Sequence, residues 1–335
     1  MATSSSPTFL SKHGYWLLLI PPICVYVLAS VLFELSMHTK SVEWVTNLST
    51  HIASQDFSPI TSKLIEMKLR YIWFTTVLVN LVVCLYAASL GIIIINRSHT
   101  RKRLITVTII GSVLIIFGLI SLMISSATGN AIYRLIYYFS FSTLQATGLY
   151  NPAFLNHVDR LLLLTNTLAI IVPCIVLLAA SSTLAPSRNQ SENGLTHLIK
   201  QMQHLKGVLN VGSALLVGGI LHMSAWIRWP AGLLRDPVEQ SALSGAVLAI
   251  TMFWGATFTL MLIATYGPAA SYLSGQARHL AEQAQQAGTI QDPQQWLQDN
   301  HFSVTLGEQL PQISAILGPV LAGPIGSFLM SHVSS

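Results

Sequence analysis

The chain has 335 residues, 52% of them hydrophobic and only 9% charged, with 17 Lys and Arg against 12 Asp and Glu for a formal net charge of +5. A soluble domain carries about 25% charged residues, so this chain lacks the polar surface to clothe a soluble globule and fits lipid as its main solvent. The cations form no stripe interleaved with aromatics, so no nucleic-acid partner is expected.

Six stretches lack Asp, Glu, Lys and Arg and are long enough to cross a bilayer: Tyr15–Phe33, Tyr71–Ile95, Leu104–Ile124, Leu161–Ala180, Val208–Trp226 and Ala242–Tyr266. About 20 residues at about 1.5 Å each cover the hydrocarbon core. The first stretch is too long for an ordinary signal core and lacks a small-residue cleavage site, so it is read as an uncleaved span. Pro21 and Pro22 should kink it, and Pro173 should kink the fourth. Tyr15, Trp16, Tyr71, Trp73, Trp226, Trp229 and Tyr266 fall at span ends, where amphipathic rings favour the headgroup region.

The predicted fold class is therefore all-α, a polytopic transmembrane helical bundle of about six spans over residues 1–266, followed by a helical cytoplasmic C-terminal tail over 267–335. Orientation follows from the cations. The short loop 96–103 holds Arg97, Arg101, Lys102 and Arg103 and is placed in the cytoplasm, which puts both termini there too. Eight Lys and Arg then fall in 49 inside residues, against eight in 88 outside residues. The bilayer would be a cell or inner membrane.

Two sizeable extracytoplasmic loops result, 34–70 and 125–160. The first should form a short helix from Pro59 onward. The second contains Ala131–Phe139, too aromatic for a free loop, which should lie on the membrane surface or pack over the bundle.

Gly267-Pro268 reads as a break before the tail, with the proline placed to start a new helix. In that helix Leu273, Leu280 and Ala287 recur every seven residues, with Ala277 and Ala284 four after the leucines. The result is a narrow seam of mostly small residues suited to close helix pairing. Asp292-Pro293 reads as a further helix start. The final apolar stretch, Ile313–Met330, carries Gly318-Pro319 and Gly323-Pro324. It is read as a broken or re-entrant segment rather than a seventh span, because broken backbone persists in lipid only where protein or water satisfies its free carbonyls.

No catalytic signature emerges. Ser213 and His222 share one helix, but nine residues at about 100° each turn them to opposite faces. No span holds an Asp or Glu for paired-carboxylate chemistry, and HExxH, CxxC and Walker-type loops are all missing from the chain. No cofactor or metal is therefore expected, and Cys24, Cys84 and Cys174 are read as reduced, packed thiols. The spacing of His51 and Asp56 matches that of some lipid acyltransferases, but such a pattern is unspecific in a chain with 11 His.

His222, Asn80, Asn166 and Asn210 are the candidate polar or gating residues within spans. Leu273, Ala277, Leu280, Ala284, Gly318 and Gly323 are the candidate assembly residues. Together they favour a non-enzymatic, self-associating membrane assembly of the channel or signal-coupling type, a homo-oligomer whose tail could meet a cytosolic protein. A secondary transporter of a small solute and a membrane enzyme acting on a lipid are the alternatives.

Overall fold

The computed structural model describes residues 14–36, 41–55, 57, 59–186, 194–300, 302 and 306–334, and these are helical almost throughout. The chain is an all-α, multi-pass integral membrane protein. Among the described residues, seven helices are long and apolar enough to cross a membrane, the last of them over Leu310–Phe328.

The helices are α1 (Ile20–Ser36), α2 (Ser41–Ala53), α3 (Ile60–Ser98), α4 (Arg101–Thr128), α5 (Phe139–Ala146), α6 (Pro152–Ser182), α7 (Gly194–Ala231), α8 (Pro237–Gln286), α9 (Pro293–Asp299) and α10 (Leu306–Ser334). A 3-10 stretch, Gly14–Leu19, leads into α1. The change to α-helix comes at Pro21 and Pro22, where first-turn positions need no N–H donor.

Local chemistry sets three of the helix starts. Asn151, Asp236 and Asp292 each precede a proline, and each side-chain Oδ1 accepts a hydrogen bond from a backbone N–H of the first turn, of Phe154, Val238 and Gln294 respectively. Such a cap is worth about 1 kcal/mol, and the proline after it contributes a fixed φ without wasting a donor.

The helices run further than the six apolar stretches. The helix from Pro59 is not a separate loop element: α3 begins at Ile60 and carries Lys63, Glu66, Lys68 and Arg70 on its first turns. Gly267-Pro268 does not break α8, which continues to Gln286. The terminal segment is one uninterrupted helix despite Pro311, Pro319 and Pro324. Of the thiols, Cys84 is buried and Cys174 half-buried, whereas Cys24 lies exposed on α1.

Two apolar clusters mark the ends of the bundle. In one, Trp73, Trp226 and Trp229 pack with centroids 5.2–5.9 Å apart, and the π-helical turn Tyr133–Tyr138 with α5 covers them through Leu135, Phe139 and Leu144. The aromatic segment 131–139 thus packs over the bundle. Trp73 and Trp229 are 0% exposed, so these span-end rings form core rather than a lipid-facing belt; Tyr71, at 65% exposed, keeps the outward position.

In the other cluster, α7 and α8 continue side by side as a paired projection. Leu198, Met202 and Leu205 face Ala269, Leu273 and Ala277, with Tyr15, Leu184 and Phe302 against them. α4 is the peripheral helix. It rests on α6 where Gly111 and Gly118 admit Leu178 and Ile170, while Ile109, Val113, Ile116, Phe117 and Ile120 are exposed.

His99, between α3 and α4, ties the second end together. It is 2% exposed, its Nε2 lies 2.9 Å from Ser182 Oγ, and its ring stacks on Tyr15 and Trp16. Burial, with the nearby Arg103 charge as a smaller cause, pushes its pKa down to about 4. An unfolded chain would protonate this histidine below about 6.5, while the folded chain holds it neutral. Stability should therefore be full above pH 6.5 and fall as the pH drops toward 4. Thermal melts in detergent across that window check this, and His99→Gln, which keeps a polar partner for Ser182 without titrating, should flatten the slope.

Candidate functional site

A tightly constrained helix junction is the slot between α7 and α8 that α10 fills. Proline chemistry explains it. In an α-helix the carbonyl of residue 315 would accept from the N–H of residue 319, but Pro319 has none. In an apolar environment that orphaned carbonyl costs free energy unless another donor reaches it. Ser213 of α7 is that donor: its hydroxyl donates to the Ala315 carbonyl.

Small residues bring the backbones close enough. A Cβ on Gly255 of α8 would lie 2.5 Å from the Pro319 carbonyl oxygen, and one on Gly323 would meet Thr251 Oγ1 at 3.0 Å. A Cβ on Gly318 would meet Ser213 Oγ at 2.9 Å, and one on Gly326 would meet Leu221 at 3.1 Å. At the far end Arg228, 8% exposed, donates to Ser327 Oγ. Contacts with α7 advance in the same direction along both helices, from Ser213–Ala315 to Arg228–Ser327, so α10 runs parallel to α7. Those with α8, Gly255–Pro319 and Thr251–Gly323, run in reverse, so α10 is antiparallel to α8.

A second feature is the seam between α3 and α7. Asn80 is 4% exposed and sits against Gly218, where a Cβ would come 3.4 Å from its Oδ1. His222, one turn further along α7, lies with its ring 6.1 Å from Trp73. Among the described residues His222 Nδ1 and the indole Nε1 atoms of Trp73 and Trp226 have no hydrogen-bond partner. The structure thus gathers Asn80 and His222 on one seam. Asn166 is half-buried on α6, and Asn210 is exposed on α7, so neither joins the buried seam.

Of the assembly residues, Gly318 and Gly323 lie in the α10 slot. Leu273 and Ala277 are 0% exposed against the chain's own α7, with Leu280 partly buried beside them. Ala284 is half-buried. The fully covered stripe runs Ala269, Leu273, Ala277, Ala281 at a spacing of four, the ridge on which ordinary globular helix pairs interdigitate. His51 Nε2 lies 3.0 Å from Glu239 Oε2 on α8, while Asp56 falls outside the described residues.

Sequence reasoning picked out the backbone interruptions in α10 without the groups that answer them. Pro319 signals a free carbonyl; that Ser213, more than 100 residues earlier, satisfies it carries no local signature. The buried Glu66 and Arg228 likewise lie outside the charge-free stretches, so charge-free length alone does not signal that they sit within helices. Compared with protein-family models, with curated proteins and with solved structures, the chain matches none.

Two substitution series follow. Ser213→Ala leaves the Ala315 carbonyl unsatisfied and should cost about 1–3 kcal/mol, and Gly323→Leu should be worse because Thr251 cannot yield a whole side-chain volume. Both should make α10 more accessible to protease in detergent. Leu273→Ala should destabilise the projection by about 2–5 kcal/mol, and Leu280→Ala, being partly exposed, by clearly less. Thermal melts of the two variants side by side check the order.

Proposed function

We propose that the chain is the protomer of a self-associating, non-enzymatic membrane assembly of the channel or signal-coupling type. The observation that carries this reading is the position of α10, wedged along α7 and α8, the same two helices that continue past the bundle as a paired projection. Anything that tilts the projection moves both walls of the α10 slot. At about 1.5 Å per residue, the 50 residues of α8 reach about 75 Å, more than twice the about 30 Å of a hydrocarbon core. A helix of that length is suited to carry movement from a soluble partner into the bundle.

In this reading α10 makes a seventh crossing, supported by its length and by its course parallel to α7. With the cation-rich loop 96–103 inside, the N-terminus stays cytoplasmic and the C-terminus lies on the opposite face, rather than both lying inside. The projection of α7 and α8 is then cytoplasmic. A secondary transporter is the second reading, favoured by the buried Asn80–His222 seam with its unpaired indole donors.

Two variants and one mass measurement test the proposal. The full chain in detergent should run as an oligomer by native mass spectrometry. Truncation before Pro311 should leave the preceding helices inserted but lower the oligomer order, and Gly323→Leu should do the same in the full-length chain. A monomeric full-length protein, or an oligomer indifferent to both changes, overturns the assembly reading. Cysteines placed after Ser327 that label only from the side of loop 96–103 would overturn the seventh crossing.

A further inference from the structure

At the tryptophan-rich end of the bundle a cavity of about 250 Å³ opens beside the first turns of α3. Its floor is one face of that helix, where Lys63, Glu66 and Arg70 stand at spacings of three and four. Glu66 is 7% exposed, and its Oε1 is already engaged. It accepts from Tyr150 Oη at 2.6 Å and Trp229 Nε1 at 3.2 Å, and Arg70 Nε lies 3.5 Å away. Burial and this contact with Glu66 raise the Tyr150 pKa above the ordinary phenol value, so its proton stays on the bond.

That carboxylate serves as a clamp, which leaves the cavity rich in donors. Lys63 contributes an ammonium, Ser62 a hydroxyl, and Arg70 the guanidinium N–H groups beyond the one aimed at Glu66. Arg70 is held in place from behind, its guanidinium carbon 5.7 Å from the centre of the Phe154 ring. Phe57, Leu149 and the Tyr150 ring give the remaining wall an apolar character. The partner that fits two cations and a hydroxyl next to an apolar wall is a phosphate ester carried on an organic group.

The cavity's surroundings choose the source. On the outward side of the same helix Ile60 is 75%, Leu64 54% and Tyr71 65% exposed, a surface that acyl chains cover in a bilayer. We propose that Lys63, Ser62 and Arg70 bind the phosphate of a phospholipid headgroup whose chains run down the exposed face of α3. This inference rests only on membrane integration and stands apart from the assembly reading.

The test uses full-length protein stripped of lipid in a non-ionic, phosphate-free detergent. Phosphatidylglycerol and diacylglycerol, which lacks the phosphate, are titrated separately by native mass spectrometry. Phosphatidylglycerol should remain bound and diacylglycerol should not. Lys63→Gln should weaken phosphatidylglycerol binding by about tenfold, the loss of one charge-assisted contact. Lys102→Gln, at the other end of the bundle, should leave it unchanged. Lys63 lies outside the Glu66 clamp, so an unaltered melting curve for Lys63→Gln separates lost binding from lost folding. Equal binding by wild type and Lys63→Gln, or retention of diacylglycerol to the same extent, overturns the site. If glycerol phosphate, which lacks acyl chains, binds as tightly as phosphatidylglycerol in a Lys63-dependent way, a soluble phosphate ester is the ligand and the lipid assignment is overturned.

Discussion

The backbone of a membrane helix has to find its hydrogen bonds inside the protein, and that constraint shapes the α7–α8–α10 junction more than any side-chain chemistry. Each interior proline of α10 removes a donor and frees a carbonyl one turn earlier. For Ala315 the donor comes from Ser213. A hydroxyl can reach that carbonyl only if the helices approach closely, and the glycines at 255, 318 and 323 remove the side chains that would prevent it. Proline, glycine and serine therefore form one device. The prolines create a need, the glycines grant access, and the serine supplies the bond.

This explains why so much of the architecture could be read from residues alone and why the terminal helix could not. Charge-free length and the helix start at Asp292-Pro293 are local quantities, and both describe real helices, whereas the same Asx-Pro cap at Asn151 lies inside what reads as a loop. Helix ends were harder. A charge-free criterion ends a span at the first charged residue, yet Glu66 and Arg70 sit inside α3, where Tyr150 and Trp229, from elsewhere in the chain, pair with the carboxylate. Gly267-Pro268 reads as a break because proline inside a helix costs about 3 kcal/mol, yet packing of Ala269, Leu273 and Ala277 against α7 can offset that penalty, and α8 runs on. In each case a tertiary partner overrode a local rule.

The candidate sites divide along the same line. Asn80 and His222 were singled out as isolated polar groups, and the fold sets them one turn apart because Gly218 lets α3 and α7 touch. Asn166 and Asn210 looked equivalent in the sequence. Helix rotation separates them: hydropathy registers that a residue lies in a span and is silent on which face it occupies, so the exposed Asn210 could not be told from the buried Asn80. Glu66, which accepts from both Tyr150 and Trp229, carries no such signal in the sequence, because an acid beside Lys63, Lys68 and Arg70 reads as ordinary loop composition.

The two ends of the bundle are built from different materials, and the difference bears on how the molecule can move. At one end bulky rings pack in several orientations under a π-helical cap, with Tyr137 donating to Asp159 and Glu34 accepting from the Ala131 backbone N–H. Interlocked rings and hydrogen bonds of that kind resist sliding. At the other end α7 and α8 meet through alanines and a few leucines, whose shallow ridges present small barriers to a shift along the axis. A displacement entering at the projection would thus be absorbed where contacts are smooth and halted where they interlock. α10 is held by the Ser213 hydroxyl on its Ala315 carbonyl and by Arg228 on Ser327, so in the proposed coupling reading it is the element across which such a displacement would be felt.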